Sequence, residues 1–155
     1  RLFDAASGLV GLCRKMEMDA EAAIRLEQAA TRRIDATGWP EPAADGWRLV
    51  DGVLDLSPLL VQLADMADAE QGAALFHATL VAALAHWAER ACVESGLDTV
   101  VFGGGCFFNR LLSSGLRGAV EARGLRVLAP IQLVPGDSGL ALGQAWVALH
   151  WMENR

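Results

Sequence analysis

Apolar side chains recur at helical spacing in the first part of the chain. Residues 1–12 and residues 20–36 carry them at intervals of three and four, with charged residues on the opposite side. This pattern is typical of amphipathic helices that bury one face. Asp19 immediately precedes the second segment and is its expected N-cap, because a carboxylate accepts the free N–H groups of a first helical turn.

Two further helices are predicted over residues 58–67 and 69–95. Ser57 is the expected cap of the first, and Gly96 is expected to end the second, because glycine readily takes the left-handed conformation found there. The longer helix is apolar nearly all round, so we expect it to be buried on several sides. It contains His77, which is either a hydrogen-bonded core histidine or a residue of a functional site.

Strands are predicted in two places. Residues 47–55 alternate around an Asp-Gly pair, which is typical of a two-residue hairpin turn because both positions need positive φ angles. Residues 99–102 and 126–128 are short apolar runs joined by a helix-periodic segment, residues 107–123. The order strand, helix, strand indicates a right-handed crossover and a parallel pair.

Three consecutive glycines, Gly103, Gly104 and Gly105, follow the first strand of this unit. Since glycine has no Cβ, a ligand can approach the backbone closely there. The first N–H groups of the next helix are expected to face the same place, which favours a phosphate or a nucleotide. A plain strand-to-helix turn is the alternative, because the glycines match neither the phosphate-loop motif nor the dinucleotide motif.

A second loop, Pro135-Gly-Asp-Ser-Gly139, precedes the last predicted helix, residues 138–152. Asp137 stands where an N-cap is expected, and capping alone accounts for an aspartate at this point. A carboxylate facing a glycine-rich strand end is also well placed to bind a metal or a cation that accompanies a phosphate. The two roles are compatible.

Composition and charge exclude several classes of protein. A chain of 155 residues with 53% hydrophobic and 21% charged residues is expected to be globular. Its net charge of -6 argues against non-specific nucleic-acid binding. The longest apolar stretch, residues 73–88, is too short and too polar to span a membrane, and no signal peptide opens the chain, so we expect a cytoplasmic protein.

The beginning of the chain bears on its domain organisation. Arg1 already lies in a helical pattern, with no methionine before it, so we expect a fragment of a longer protein. Within this single fragment, residues 1–96 are expected to be mainly helical, with the hairpin near residues 47–55. Residues 97–155 are expected to form a β-α-β-α part that contains the cleft.

Four segments that occur in order along the chain together resemble one family. They are Arg1-Leu-Phe-Asp-Ala5, Phe76-His77, Val101-Phe-Gly-Gly-Gly-Cys-Phe-Phe-Asn-Arg-Leu-Leu112 and Pro135-Gly-Asp-Ser-Gly-Leu-Ala-Leu-Gly-Gln144. The chain resembles the C-terminal part of the carbamoyltransferases of nickel–iron hydrogenase maturation. The resemblance implies an α/β fold, namely half of an actin/Hsp70/sugar-kinase-like (RNase H-like) nucleotide-binding fold with a helical insertion.

The resemblance also implies roles for individual residues. Gly104 and Gly105 match glycines that approach the bound nucleotide, and Asn109 matches the asparagine that follows them. Asp137 matches an aspartate that completes a metal site with a His-x-x-x-His motif, which this chain lacks and which the resemblance places before Arg1. Further possible site residues are His77, Asp4 and Gly103.

The implied chemistry is transfer of a carbamoyl group from an ATP-derived carbamoyl-adenylate to the C-terminal cysteine of a hydrogenase maturation partner. A divalent metal, iron or zinc, is implied as well, and preceding domains would supply the carbamoyl group from carbamoyl phosphate. The fragment alone is therefore not expected to turn over. An O-carbamoyltransferase of small metabolites and a non-catalytic nucleotide-binding or docking module are the alternatives.

Three departures from the family pattern stand out. Gly103 replaces a usual serine, and Ser138 replaces a usual glycine. The segment Asp19-Ala-Glu-Ala-Ala23 stands where Glu-Gly-Gln-Ala-Ala is expected. The aliphatic residue usual at position 106 favours a packing role for Cys106.

Overall fold

The structure, a computed structural model, describes residues 1–131 and 136–153. The helices are α1 (Leu2–Leu9), α2 (Glu21–Thr37), α3 (Ser57–Ala64), α4 (Ala69–Ser95), α5 (Arg110–Glu121) and α6 (Leu140–Glu153). The strands are β1 (Arg48–Val50), β2 (Val53–Asp55), β3 (Thr99–Val101) and β4 (Arg126–Leu128). Short 3-10 turns lie at Gly105–Phe108 and Asp137–Gly139. The predicted α/β class is confirmed.

Helix α4 forms the centre of the molecule. It packs against α2 on one side and α5 on another, and it also contacts α1, α3 and β3. Its bounds match the prediction, and Gly96 ends it as expected, whereas its cap at the start, Asp68, was not predicted. The Asp68 carboxylate accepts the backbone N–H groups of Glu70 and Gln71, and Gly96 ends the helix with a φ of +70°. Phe76, among the largest core side chains, is fully buried on this helix.

The predicted hairpin is present as the antiparallel pair β1–β2, in which Val50 lies opposite Val53. Asp51 and Gly52 both have positive φ angles, as a two-residue turn of this type requires. The indole Nε1 of Trp87 donates a hydrogen bond of 2.8 Å to the carbonyl oxygen of Gly52. This bond attaches the turn to α4.

The β-α-β unit is also present. Strands β3 and β4 pair in parallel, with Thr99 opposite Arg126, and α5 connects them. The apolar face of α5 is buried through Leu112, Leu116 and Val120. Helix α5 begins at Arg110, three residues later than predicted, because the 3-10 turn Gly105–Phe108 comes first.

Helix α2 does not begin as predicted. Its N-cap residue is Ala20, which has a left-handed φ of +60°, and no side chain caps the helix. The prediction that Asp19 caps α2 is therefore wrong. Capping needs an extended backbone at the cap residue, and the left-handed turn at Ala20 replaces that geometry.

Two other predicted caps are wrong because each residue is the first of its helical turn and does not precede it. Ser57 is the first residue of α3, and its N–H donates to the Asp55 carboxylate over 2.8 Å. The Asp55 side chain therefore accepts the first N–H group of this helix. Asp137 is the first residue of a 3-10 turn, and Gly136 occupies the N-cap position before it. The last helix then starts at Leu140.

Helix α6 differs from the others because none of its described residues is buried. Large apolar side chains such as Leu142, Trp146 and Val147 are more than half exposed. The rings of Trp146 and His150 lie 4.6 Å apart and are tilted by 35° to each other. No helix in the described part of the chain is both long enough and apolar enough to span a bilayer.

Ala20→Gly is expected to stabilise the protein by about 0.5–1 kcal/mol, since relief of a left-handed alanine exceeds the entropy that a glycine adds to the unfolded chain. Chemical denaturation followed by tryptophan fluorescence measures the change. Ala36→Gly makes the same chemical change at an exposed helical position of α2 and is expected to destabilise by about 1 kcal/mol. Equal destabilisation by both variants would show that Ala20 is not strained.

Candidate functional site

The glycine loop, Gly103 to Gly105, presents bare backbone to open space. A Cβ placed on any of the three glycines would meet no atom within 4 Å, and Gly104 has a φ of +98°. Within the described residues, the N–H groups of Gly103 and Gly104 have no hydrogen-bond partner. Unpaired N–H groups at an open loop can bind an anionic oxygen.

An apolar cavity of about 280 Å³ lies beside this loop, between α1, α2 and the first 3-10 turn. Its polar wall consists of Glu27 and Asn109. The other lining residues are Phe3, Ala20, Ala23, Ile24, Gly105, Cys106 and Phe108. Apolar walls with few polar groups are typical of sites for small organic ligands.

A second opening of about 410 Å³ continues the cavity along α2, since both share Ile24, Glu27 and Phe108. Two cations line this opening. Arg32 is paired with Glu70 over 2.6 Å, whereas the guanidinium of Arg110 has no ion pair in the part of the chain that the structure describes. The cleft thus has an apolar part, which includes Gly105, and a part that is lined by two arginines.

The start of α5 is occupied by groups of the protein itself. The N–H of Arg110 donates to the Glu27 carboxylate over 2.7 Å, and the N–H of Leu112 donates to Asn109 Oδ1 over 2.9 Å. The prediction that the first N–H groups of this helix face a ligand is therefore wrong for these two. Among the described residues, the N–H groups of Gly103 and Gly104 have no partner and can bind a ligand.

His77 lies directly behind the site. It is fully buried, its Nδ1 is 2.8 Å from the carbonyl oxygen of Ala73, and its Nε2 is 3.0 Å from Asn109 Nδ2. Because a carbonyl oxygen only accepts, Nδ1 carries the proton and Nε2 accepts from the amide. Burial lowers the pKa of His77 below its ordinary value. His77 is thus a neutral core histidine whose partner lines the cavity.

Asp137 lies on a segment that touches the glycine side of the cleft. A Cβ on the preceding Gly136 would come within 2.7 Å of the Phe108 ring, so these two residues are packed together. The Asp137 side chain is exposed. Pro135, the first residue of the predicted loop, lies outside the described residues.

The described residues do not form a complete metal site. They contain no group of three or more His, Cys, Asp or Glu side chains arranged to bind an ion, and Asp137 is a single carboxylate. Asp4, the other acidic candidate, pairs with Arg1 over 2.9 Å and does not line the cavity. The described residues therefore supply too few ligands to bind a metal by themselves.

The sequence did not predict the α2 wall of the cavity. Ala20, Ala23, Ile24 and Glu27 come to the glycine loop only through tertiary packing, and ordinary amphipathic periodicity gives no signal for such an approach. Cys106 was expected to be packed, but it is exposed and lies in the 3-10 turn, where it lines the cavity.

Comparison with known proteins gives consistent matches. Residues 1–144 match the family described as carbamoyltransferase, Kae1-like domain, second subdomain. The carbamoyltransferase HypF homolog of Cupriavidus necator is 47% identical, over 96% of this chain and 39% of its own length. Carbamoyltransferase HypF2 of the same organism is 42% identical, over 99% of this chain and 22% of its own length. The chain thus spans well under half the length of these curated relatives.

Solved structures agree with this assignment. A crystal structure of full-length HypF in the phosphate- and nucleotide-bound form is 25% identical, with a TM-score of 0.82 over 97% of this chain and 20% of that one. The structure of HypF from T. kodakarensis, 23% identical, superposes with a TM-score of 0.78 over 99% of this chain and 20% of that one, and shows the same fold.

Proposed function

We propose a function from the premise that this chain belongs to the carbamoyltransferase family, as the second subdomain of its Kae1-like domain. In this proposal the chain supplies one side of the site that transfers a carbamoyl group from carbamoyl-adenylate, made with ATP, to the C-terminal cysteine of a hydrogenase maturation partner. Carbamoyl phosphate is the ultimate donor and is processed elsewhere in a longer protein.

One observation carries the proposal: the N–H groups of Gly103 and Gly104, which have no hydrogen-bond partner among the described residues, lie beside an apolar cavity. The phosphate of an adenylate fits the N–H groups, and its adenine fits between Phe3, Ile24 and Phe108. The nucleotide-bound form recorded for a structural relative supports a nucleotide here. In this arrangement Asn109 lines the nucleotide pocket.

The loop is suited to stabilise the leaving group. In the transfer step, the acceptor thiolate forms a bond to the carbamoyl carbon, and the bond from that carbon to the phosphate oxygen breaks. The electron pair stays on the phosphate oxygen as AMP leaves. Backbone N–H groups such as those of Gly103 and Gly104 stabilise the charge that grows on this oxygen. The nucleophile belongs to the acceptor, so Cys106 has no part in the step.

Three finer features also belong to the proposal. The fold is half of an actin-like nucleotide-binding fold, with residues 1–96 as its helical part and residues 97–155 as its cleft part. Asp137 provides one ligand to an iron or zinc site that residues beyond this chain complete. Its exposed carboxylate, on a segment packed against Phe108, supports that role.

The test is a transfer assay with the full-length protein, carbamoyl phosphate, ATP and the acceptor protein. Mass spectrometry is expected to find a carbamoyl group on the terminal cysteine of the acceptor, and none on an acceptor in which serine replaces that cysteine. Carbamoylation of a small metabolite instead would establish the O-carbamoyltransferase alternative. Nucleotide binding with no transfer to either would favour a non-catalytic module.

A further inference from the structure

Helices α4 and α5 are joined behind the cavity by a chain of hydrogen bonds. The carbonyl oxygen of Ala73 accepts from His77 Nδ1, His77 Nε2 accepts from Asn109 Nδ2, and Asn109 Oδ1 accepts the N–H of Leu112. Asn109 is only 7% exposed, and His77 is fully buried. Each heteroatom of these two side chains therefore has a partner inside the protein.

This chain of bonds fixes the direction of the Asn109 amide. Its oxygen must face α5 to cap the helix, which requires its nitrogen to face an acceptor. The lone pair on His77 Nε2 is that acceptor. Without it, a buried amide nitrogen would lose its partner, and the cap could be kept only at the cost of an unsatisfied donor.

We propose that His77 is a positioning residue for ligand binding at the glycine loop. Acting through Asn109, it holds the first turn of α5 and the adjoining wall of the cavity in place. The link to the loop is short, because Asn109 follows the turn Gly105–Phe108 and lines the cavity with Phe108. The inference rests on the proposed function only in taking the ligand to be a nucleotide.

The surroundings of the imidazole favour its neutral form. The rings of Phe3 and Phe76 lie 6.1 and 5.4 Å from it. On the neighbouring helices, the Glu27 carboxylate is bound to the N–H of Arg110, and Asp4 is paired with Arg1. Neither carboxylate is hydrogen-bonded to the imidazole.

Protonation would break the bond to Asn109, because a charged imidazole presents a donor at Nε2 to the donor Nδ2. The pKa of His77 is lowered by burial, so its contribution to stability is fully present above about pH 6.5 and is lost as the pH falls through the folded-state value. Nucleotide binding by the folded protein is expected to weaken only as the pH falls through the folded-state pKa of His77, which lies below its ordinary value.

Two variants of the full-length protein test the proposal. His77→Leu keeps a similar volume but removes the acceptor, whereas His77→Gln places an amide oxygen where it can accept from Asn109. AMP affinity, measured by calorimetry at pH 7.5, is expected to fall about tenfold in His77→Leu and to stay near the wild-type value in His77→Gln. Amide hydrogen exchange at Leu112 is expected to accelerate only in His77→Leu.

A third variant changes the other partner. Asn109→Asp keeps an oxygen that caps α5 but places a second carboxylate oxygen opposite His77 Nε2. NMR titration is expected to show a higher pKa for His77, because the carboxylate favours the protonated imidazole. An unchanged titration in this variant would contradict the observed contact between the two side chains.

The measurements on these variants distinguish failure of the positioning role of His77 from failure of the proposed function. Wild-type AMP affinity and wild-type exchange in His77→Leu would overturn the positioning role, as would equal losses in His77→Leu and His77→Gln, which would indicate packing alone. If the wild-type protein binds no AMP, the proposed function fails. The exchange rates at Leu112 then still decide whether His77 holds the start of α5.

Discussion

Gly104→Val is expected to abolish AMP binding by the full-length protein, with the affinity falling by about a hundredfold or more. Two effects act together. The φ of +98° at Gly104 is strongly unfavourable for a β-branched residue, so the loop must change its conformation. The new side chain would also occupy the open space in front of the free N–H groups, where the phosphate is proposed to bind. Isothermal calorimetry with AMP measures the loss.

The control for this variant is Gly124→Val. Gly124 also has a positive φ, +77°, and open space around it, but it lies in the turn between α5 and β4. The two variants therefore carry comparable backbone strain, and only one of them obstructs the glycine loop. Gly124→Val is expected to lower stability and to keep the AMP affinity. Equal AMP affinity in Gly104→Val and the wild type would remove the loop from the binding site.

Asp137→Asn is expected to lower carbamoyl transfer by about a hundredfold or more while AMP still binds, since loss of a charged group that acts in the reaction typically has effects of this size. The substitution keeps the size of the side chain and removes its negative charge. The transfer assay with the acceptor protein measures the rate, and elemental analysis of the purified protein measures its iron and zinc. Both the rate and the metal content are expected to fall.

Asp35→Asn provides the matched control, because Asp35 is an exposed aspartate on α2 outside the lining of the cavity. It is expected to leave transfer and metal content unchanged. If Asp137→Asn also keeps full transfer and a full complement of metal, Asp137 is not a metal ligand. Calorimetry with AMP, run on the same samples, shows whether the variant has kept the nucleotide site.

Much of the fold follows from local signals. The end of α4 is predictable because Gly96 readily takes the left-handed conformation found there, and the hairpin is predictable because its Asp-Gly turn requires positive φ angles. The predicted caps at Asp19 and Ser57 were wrong. In each case a neighbouring residue, Ala20 or Asp55, determines how the helix starts, and composition alone does not reveal which neighbour does so.

The candidate site could be predicted only where its residues are close in sequence. The glycine loop and Asp137 are conspicuous as short motifs, and the structure brings their segments together through Gly136 and Phe108. The contacts that shape the cavity connect distant positions. Glu27 binds the N–H of Arg110 across 83 residues, and His77 meets Asn109 across 32. No periodicity in the sequence encodes such pairs, which arise from the packing of α2, α4 and α5.

A crystal structure of the full-length protein with AMP is the most direct test of nucleotide binding at the glycine loop. We expect the AMP phosphate within hydrogen-bonding distance of the N–H groups of Gly103 and Gly104, with the adenine in the cavity between Ile24 and Phe108. An AMP molecule bound elsewhere, with the glycine N–H groups facing only water, would contradict it.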